Sequence, residues 1–168
     1  GHLGVGTTAA RSSSVLMDAL TSWGIVTGGA SHTVAVKTTG ALWAWGLGTN
    51  GVLGDGTSVT KSSPVQVGAL TTWSQVAVGT HTVAVQTNGK LWAWGLGSSG
   101  QLGDGTTVAK SSPVQIGALT NWSKVAAGGS HTMAVQTSGK LWAWGLGSSG
   151  QLGDGTTVEK SSPVQMGA

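Results

Sequence analysis

The sequence has no cysteine, no phenylalanine and no tyrosine, only three prolines, and few charges. Without cysteine there is neither a disulfide framework nor a thiolate metal site, so packing and hydrogen bonds alone must hold the fold. No apolar run approaches the roughly 20 residues of a membrane-spanning helix. No signal peptide is visible. The sequence does not begin with Met but inside a repeat, as a piece of a longer protein or a processed product would. Acids are the scarcer charged class, five against eight bases. The net charge of +3 therefore reflects missing acids rather than a basic patch, which speaks against a nucleic-acid partner. A disordered chain would carry more charge and fewer apolar residues. The 30 glycines follow no three-residue period, which excludes a collagen-like chain.

What is present is repetition. The stretch from Leu91 to Thr106 returns unchanged at Leu141 to Thr156, and again at Leu42 to Thr57 with three changes, Thr49, Asn50 and Val52. His32, His81 and His131 keep the same interval to within one residue, as do Asp55, Asp104 and Asp154, and Pro64, Pro113 and Pro163. Such a period marks a repeat architecture. The units run 19–68, 69–117 and 118–168, and residues 1–18 are a degenerate copy of the end of a unit, with Val5 in place of the Asp and Ser14 in place of the Pro.

Within a unit the pattern is β throughout. His81 to Gln86 alternates, with His81, Val83 and Val85 on one face. Asn88-Gly89 is a hairpin signal whose Gly recurs as Gly40 and Gly139. Leu91 to Trp94 is the returning strand. After a Gly-rich loop, Ser112 to Ile116 reads as a fourth strand, and Pro113 puts it on an outer edge, where a missing N–H costs least. Four short antiparallel strands in about 50 residues fit one blade of a β-propeller.

Gly128-Gly129-Ser130-His131-Thr132, Gly139, Trp144-Gly145 and Gly150-Gln151-Leu152-Gly153 together resemble the regulator-of-chromosome-condensation repeat, over nearly the whole chain. The resemblance implies a seven-bladed propeller serving as a protein-interaction platform. It is a family that includes a guanine-nucleotide exchange factor on chromatin and many bacterial and phage proteins. The expected fold is all-β: about three four-stranded antiparallel blades, forming a partial propeller or half of a ring closed by a second chain. Unpaired blade edges favour self-association through the chain ends.

The recurring side chains have ready structural readings. Gly95-Leu96-Gly97-Ser98-Ser99-Gly100 matches a dinucleotide loop, but no helix follows, so these are turn glycines. His32, His81 and His131 read as buried imidazoles hydrogen-bonded to neighbouring backbone rather than metal ligands. Asp55, Asp104 and Asp154 read as turn-capping carboxylates, since a Ca²⁺ loop needs several oxygen ligands close together. Trp45, Trp94 and Trp144, each two residues after another Trp on the same strand face, read as packing between blades. Lys61, Lys110 and Lys160, with Arg11 in the degenerate copy, read as a spaced basic rim and are the candidate partner contacts. Asn121-Trp122-Ser123 is a glycosylation sequon that occurs once.

No nucleophile–base pair recurs, and no cofactor or metal site is expected, so the chain reads as a non-enzyme. The expected function is an interaction scaffold on a cell or virion surface, of adhesin or tail-fibre type, whose partner is another protein or a surface glycan. Two alternatives remain: a lectin, which needs exposed Trp in each blade, and an exchange factor or chromatin-binding regulator, which needs a blade insertion that no unit contains.

Overall fold

A computed structural model describes residues 3–9, 12–13, 16 and 22–167. Arg11 and Ser14 of the degenerate copy lie outside the described residues. Three four-stranded antiparallel sheets follow one another along the chain, each in sequential strand order. Blade 1 holds β1 (Trp23–Gly28), β2 (His32–Lys37), β3 (Leu42–Gly46) and β4 (Lys61–Gln66). Blade 2 holds β5 (Trp73–Val78), β6 (His81–Gln86), β7 (Leu91–Gly95) and β8 (Lys110–Gln115). Blade 3 holds β9 (Trp122–Ala127), β10 (His131–Gln136), β11 (Leu141–Gly145) and β12 (Lys160–Gln165). The first strands β1, β5 and β9 pack side by side at the inner end, so the three blades form a partial propeller.

The hairpins form where the glycines stand, but with a different turn from the one the Asn-Gly pair suggests. Gln86 N–H donates to the Lys90 carbonyl at 3.0 Å and Gly89 N–H to the Gln86 carbonyl at 2.9 Å. Only the Gly has positive φ, 82°, 76° and 83° at Gly40, Gly89 and Gly139. This is the three-residue hairpin in which a left-handed Gly follows a right-handed turn. The residue before the Gly keeps negative φ, which is why Thr39, Asn88 and Ser138 interchange there.

The fourth strands begin at the lysine, earlier than the sequence pattern suggests, and Pro64, Pro113 and Pro163 lie inside them. Each is the outermost strand of its sheet. The β7–β8 ladder shifts register between Ala93 and Gly95, leaving Ser111 to Pro113 out of regular pairing. The proline is tolerated there because neither a bulge nor an outer edge asks for its N–H.

The core lies between blades rather than within them. Val34, Val36, Leu42, Leu53 and Val67 of blade 1 form one cluster with Trp73, Val76, Val78 and Trp94 of blade 2. Val83, Val85, Leu91, Leu102 and Ile116 of blade 2 do the same with Trp122, Ala134 and Trp144 of blade 3. The outer faces show the consequence. All six residues of β6 are buried, whereas alternate residues of β10, from His131 through Met133 to Val135, are half-buried. Val26 of β1 is 70% exposed, and its blade-2 counterpart Val76 is 8% exposed.

Residues 3–9 dock on blade 1 as a blade loop docks on the next blade. Gly6 N–H donates to the Ser62 carbonyl at 2.9 Å, matching Gly56 to Ser111 and Gly105 to Ser161. Gly4, at φ 68°, presses on the Trp45 ring as Gly54 and Gly103 press on Trp94 and Trp144.

Candidate functional site

Two repeated side-chain assemblies stand out, one at the blade junctions and one on the outer rim. At the junctions, the loop after β3 or β7 offers a buried backbone carbonyl to the following blade. The Val52 carbonyl accepts from Thr82 Oγ1 and from Trp94 Nε1, each at 3.0 Å. The Gln101 carbonyl accepts from Thr132 Oγ1 at 2.8 Å and Trp144 Nε1 at 3.0 Å. The same hydroxyls meet the imidazoles of the preceding blade. His81 Nε2 lies 2.6 Å from Thr132 Oγ1, and His32 Nε2 lies 3.3 Å from Thr82 Oγ1.

The hydrogen count fixes the tautomer. A threonine hydroxyl has one proton, and Thr132 gives it to the Gln101 carbonyl. The imidazole must then donate from Nε2, leaving Nδ1 as the unprotonated nitrogen, and His81 Nδ1 is buried without a partner. Burial holds the His81 pKa down at about 4, and the imidazoles of His131 and then His32 add repulsion of the charged form. His81 is thus a neutral structural donor. The sequence pattern suggested backbone as its partner; the partner is a hydroxyl one blade away. Replacing Thr132 with valine, which keeps the shape, strands the His81 N–H and takes one donor from the Gln101 carbonyl. The expected cost is about 1–3 kcal/mol, read from the urea midpoint. A change below a few tenths would mean that the hydroxyl is dispensable.

The tryptophans pack on one another. Trp73 lies 6.1 Å from Trp92 and 6.0 Å from Trp94, centroid to centroid, and Trp122 makes the same pair of contacts with Trp142 and Trp144. These are edge-to-face arrangements, favourable for aromatic quadrupoles. Trp45, Trp94 and Trp144 are fully buried, leaving none of the three a face to offer a sugar.

On the rim, Asp55 Oδ1 accepts from the Thr57 N–H at 3.0 Å and its hydroxyl at 2.8 Å, while Oδ2 pairs with Lys61 Nζ at 3.3 Å. Asp104 with Thr106 and Lys110, and Asp154 with Thr156 and Lys160, repeat this arrangement. Burial works to raise the Asp55 pKa, but the Thr57 bonds and then Lys61 outweigh it and hold the carboxyl below its ordinary value. Asp154 is lowered too, first by the Thr156 N–H and then by its hydroxyl. The rim lysines are therefore ion-paired within their own loops rather than standing free. The pairing was written in the constant six-residue interval from Asp to Lys. The Thr of the junction was likewise written beside each His in the His-Thr pair. Neither signal names its partner without the fold.

Beside the ion pairs of blades 2 and 3 lie shallow grooves: about 540 Å³ between Asp104, Lys110, Ser162 and Pro163, and about 560 Å³ against Asp154, Lys160 and Val164. Val59, Val108 and Val158, one per loop, are each 59% exposed. Among the described residues, no three His, Asp or Glu side chains are grouped to hold a metal ion.

The profile of the Regulator of chromosome condensation (RCC1) repeat matches residues 39–85, 88–135 and 138–168. The chain belongs to the RCC1 repeat family. A second profile of the same repeat matches residues 25–52, 74–101 and 122–151. No curated protein sequence matches the chain. Among solved structures, human WBSCR16 superimposes with a TM-score of 0.84 at 23% identity, over 99% of this chain and 45% of that one. Prp20p from Saccharomyces cerevisiae, in a structure titled with its binding to Gsp1p and histones, gives 0.77 at 23% identity over 89% and 39%. Yeast RCC1 (Prp20), in a structure with Kap60, gives 0.78 at 20% identity over 89% and 38%. These likenesses concern the fold, and the chain spans less than half the length of each RCC1-type structure.

Proposed function

We propose that this RCC1-repeat chain is a non-catalytic, multivalent scaffold that binds protein partners along its outer rim, in a surface or virion setting. The observation that carries this reading is the same exposed valine in the same loop as the same Asp–Lys pair in all three blades. Identical weak sites at fixed spacing add by avidity, which a single specialised site does not need. Burial of Trp45, Trp94 and Trp144 favours a protein over a glycan as partner. The reading extends to association through the blade ends, supported by the exposed Val26 at one end and the half-buried His131, Met133 and Val135 at the other.

Two measurements test it. Immobilised chain should retain a surface protein whose retention falls stepwise, roughly tenfold for each site lost, as Val59, Val108 and Val158 are changed in turn to Asp. Equal retention by the triple variant would sink the rim reading. Light scattering should give a mass above 16.6 kDa that rises with concentration, and a constant 16.6 kDa would sink the end-to-end association. The same preparation tests the exchange reading: stimulated guanine-nucleotide release from a GTPase would replace the scaffold proposal.

A further inference from the structure

The loops after β7 and β11 are identical in sequence, and the loop after β3 departs from them at Thr49, Asn50 and Val52. These three changes act together. In blade 2, Gln101 is buried and its Oε1 accepts the Ser99 N–H at 2.8 Å; Gln151 does the same for Ser149 at 2.8 Å. Val52 stands at the position of Gln101 and has no side-chain acceptor to offer. The residue whose N–H loses that partner is Asn50, and it adopts φ 58°, ψ 15°. It is the one non-glycine residue with positive φ among the described residues. Asn tolerates this left-handed region better than most side chains, so the Ser-to-Asn difference accompanies the Gln-to-Val difference for a physical reason. A backbone outlier of this kind is a motive to look for function at the same place.

There is a hollow at that place. About 160 Å³ lies open between blades 1 and 2, with Thr49, Asn50 and Val52 all in its lining. Leu47, Val52 and Leu96 wall it, the buried His32 lies against it, and the exposed Asn50 and Thr80 border it. An apolar cavity of about 150 Å³ accepts a benzene ring. His32 turns its Nε2 toward Thr82 and is engaged at the junction, so the space presents mainly carbon. The loop after β7, which faces blade 3, carries the buried Gln101 at the position of Val52.

We propose that this hollow is a binding site for a single leucine or phenylalanine side chain of a protein partner, with the exposed Asn50 bordering it as the hydrogen-bonding group for the adjoining peptide backbone, since the Thr80 hydroxyl and N–H already donate to the Gly129 carbonyl. The proposal rests on the protein-binding reading above and gives it one specific pocket on an otherwise repeated surface. It also accounts for the departure of one loop from the repeat.

The test uses N-acetyl-phenylalaninamide and N-acetyl-leucinamide as probes, titrated into the full chain with ¹³C-labelled methyl groups. At least one probe should shift the Leu47, Val52 and Leu96 methyl signals saturably, with a dissociation constant on the order of millimolar. A variant carrying Thr49→Ser, Asn50→Ser and Val52→Gln recreates a loop that already folds twice in this chain, and it should bind at least tenfold more weakly. The reverse change, Ser98→Thr, Ser99→Asn and Gln101→Val, should open a second site that shifts the Leu146 methyls. No saturable shift with either probe, or equal shifts in the filled variant, would overturn the proposal. Loss of probe binding with rim retention intact removes the hollow alone. Probe binding by a chain that retains no protein removes the scaffold reading instead.

Discussion

Changing Trp94 to alanine is expected to bring the chain close to unfolding. Trp94 is fully buried, yet it belongs to the cluster that joins blade 1 to blade 2 rather than to a core of its own blade. Its indole N–H donates to the Val52 carbonyl at 3.0 Å, and its ring stands 6.0 Å from Trp73. Truncating a buried tryptophan costs about 3–5 kcal/mol, because packing is lost and the cavity closes only in part. A domain of this size has about 5–15 kcal/mol in total. A blade array depends on its neighbour interfaces, so the loss falls wholly on one of two junctions. Urea denaturation followed by circular dichroism should show a greatly lowered midpoint or no cooperative transition. Trp92 is half-buried on the same strand, and its replacement by alanine should cost less. A loss below about 1 kcal/mol for Trp94 would mean that the blades do not depend on this junction.

Acid is expected to destabilise the chain well before its carboxylates titrate. His81 has a folded pKa of about 4 against an ordinary 6.5. Its neutral form is the one the junction accepts, so the unfolded state binds more protons between these values. The stability it contributes is fully present above pH 6.5 and is lost as pH falls from there to about 4. The loss amounts to about 3 kcal/mol, from the free energy of a shift of this size. Asp55 and Asp154 have depressed pKa values, so their contribution holds above the ordinary 3.8 and is lost only at lower pH. The window from pH 6.5 to 4.5 therefore separates imidazole titration from that of these carboxylates, and substitution of His81 separates its share from that of the other histidines. Wild type should lose stability steeply across that window, and a His81→Gln variant, although weaker at pH 7, should lose much less. Parallel losses in the two proteins would show that another group controls the acid limb.

Much of this architecture was legible in the chain itself. Strand positions follow from alternation along residues such as His81 to Gln86, and hairpins from Gly40, Gly89 and Gly139, which need only local backbone geometry. The repeat interval gave the number of blades, and the proline marked each outer edge. These signals are readable because each depends on residues close together in sequence.

The tertiary structure decided what lies about 50 residues apart. It placed His32 and His81 on the threonines of the following blades, turned the two Trp-bearing faces into junctions, and gave the rim lysines to the aspartates of their own loops. It also brought three neighbouring differences, Thr49, Asn50 and Val52, to one place: a missing side-chain acceptor, a left-handed residue and the lining of a hollow. The physical reason is the same in every case. Alternation and turn propensity constrain the backbone of one blade. Donor–acceptor pairing and cavity filling depend on which atoms two separate blades bring face to face.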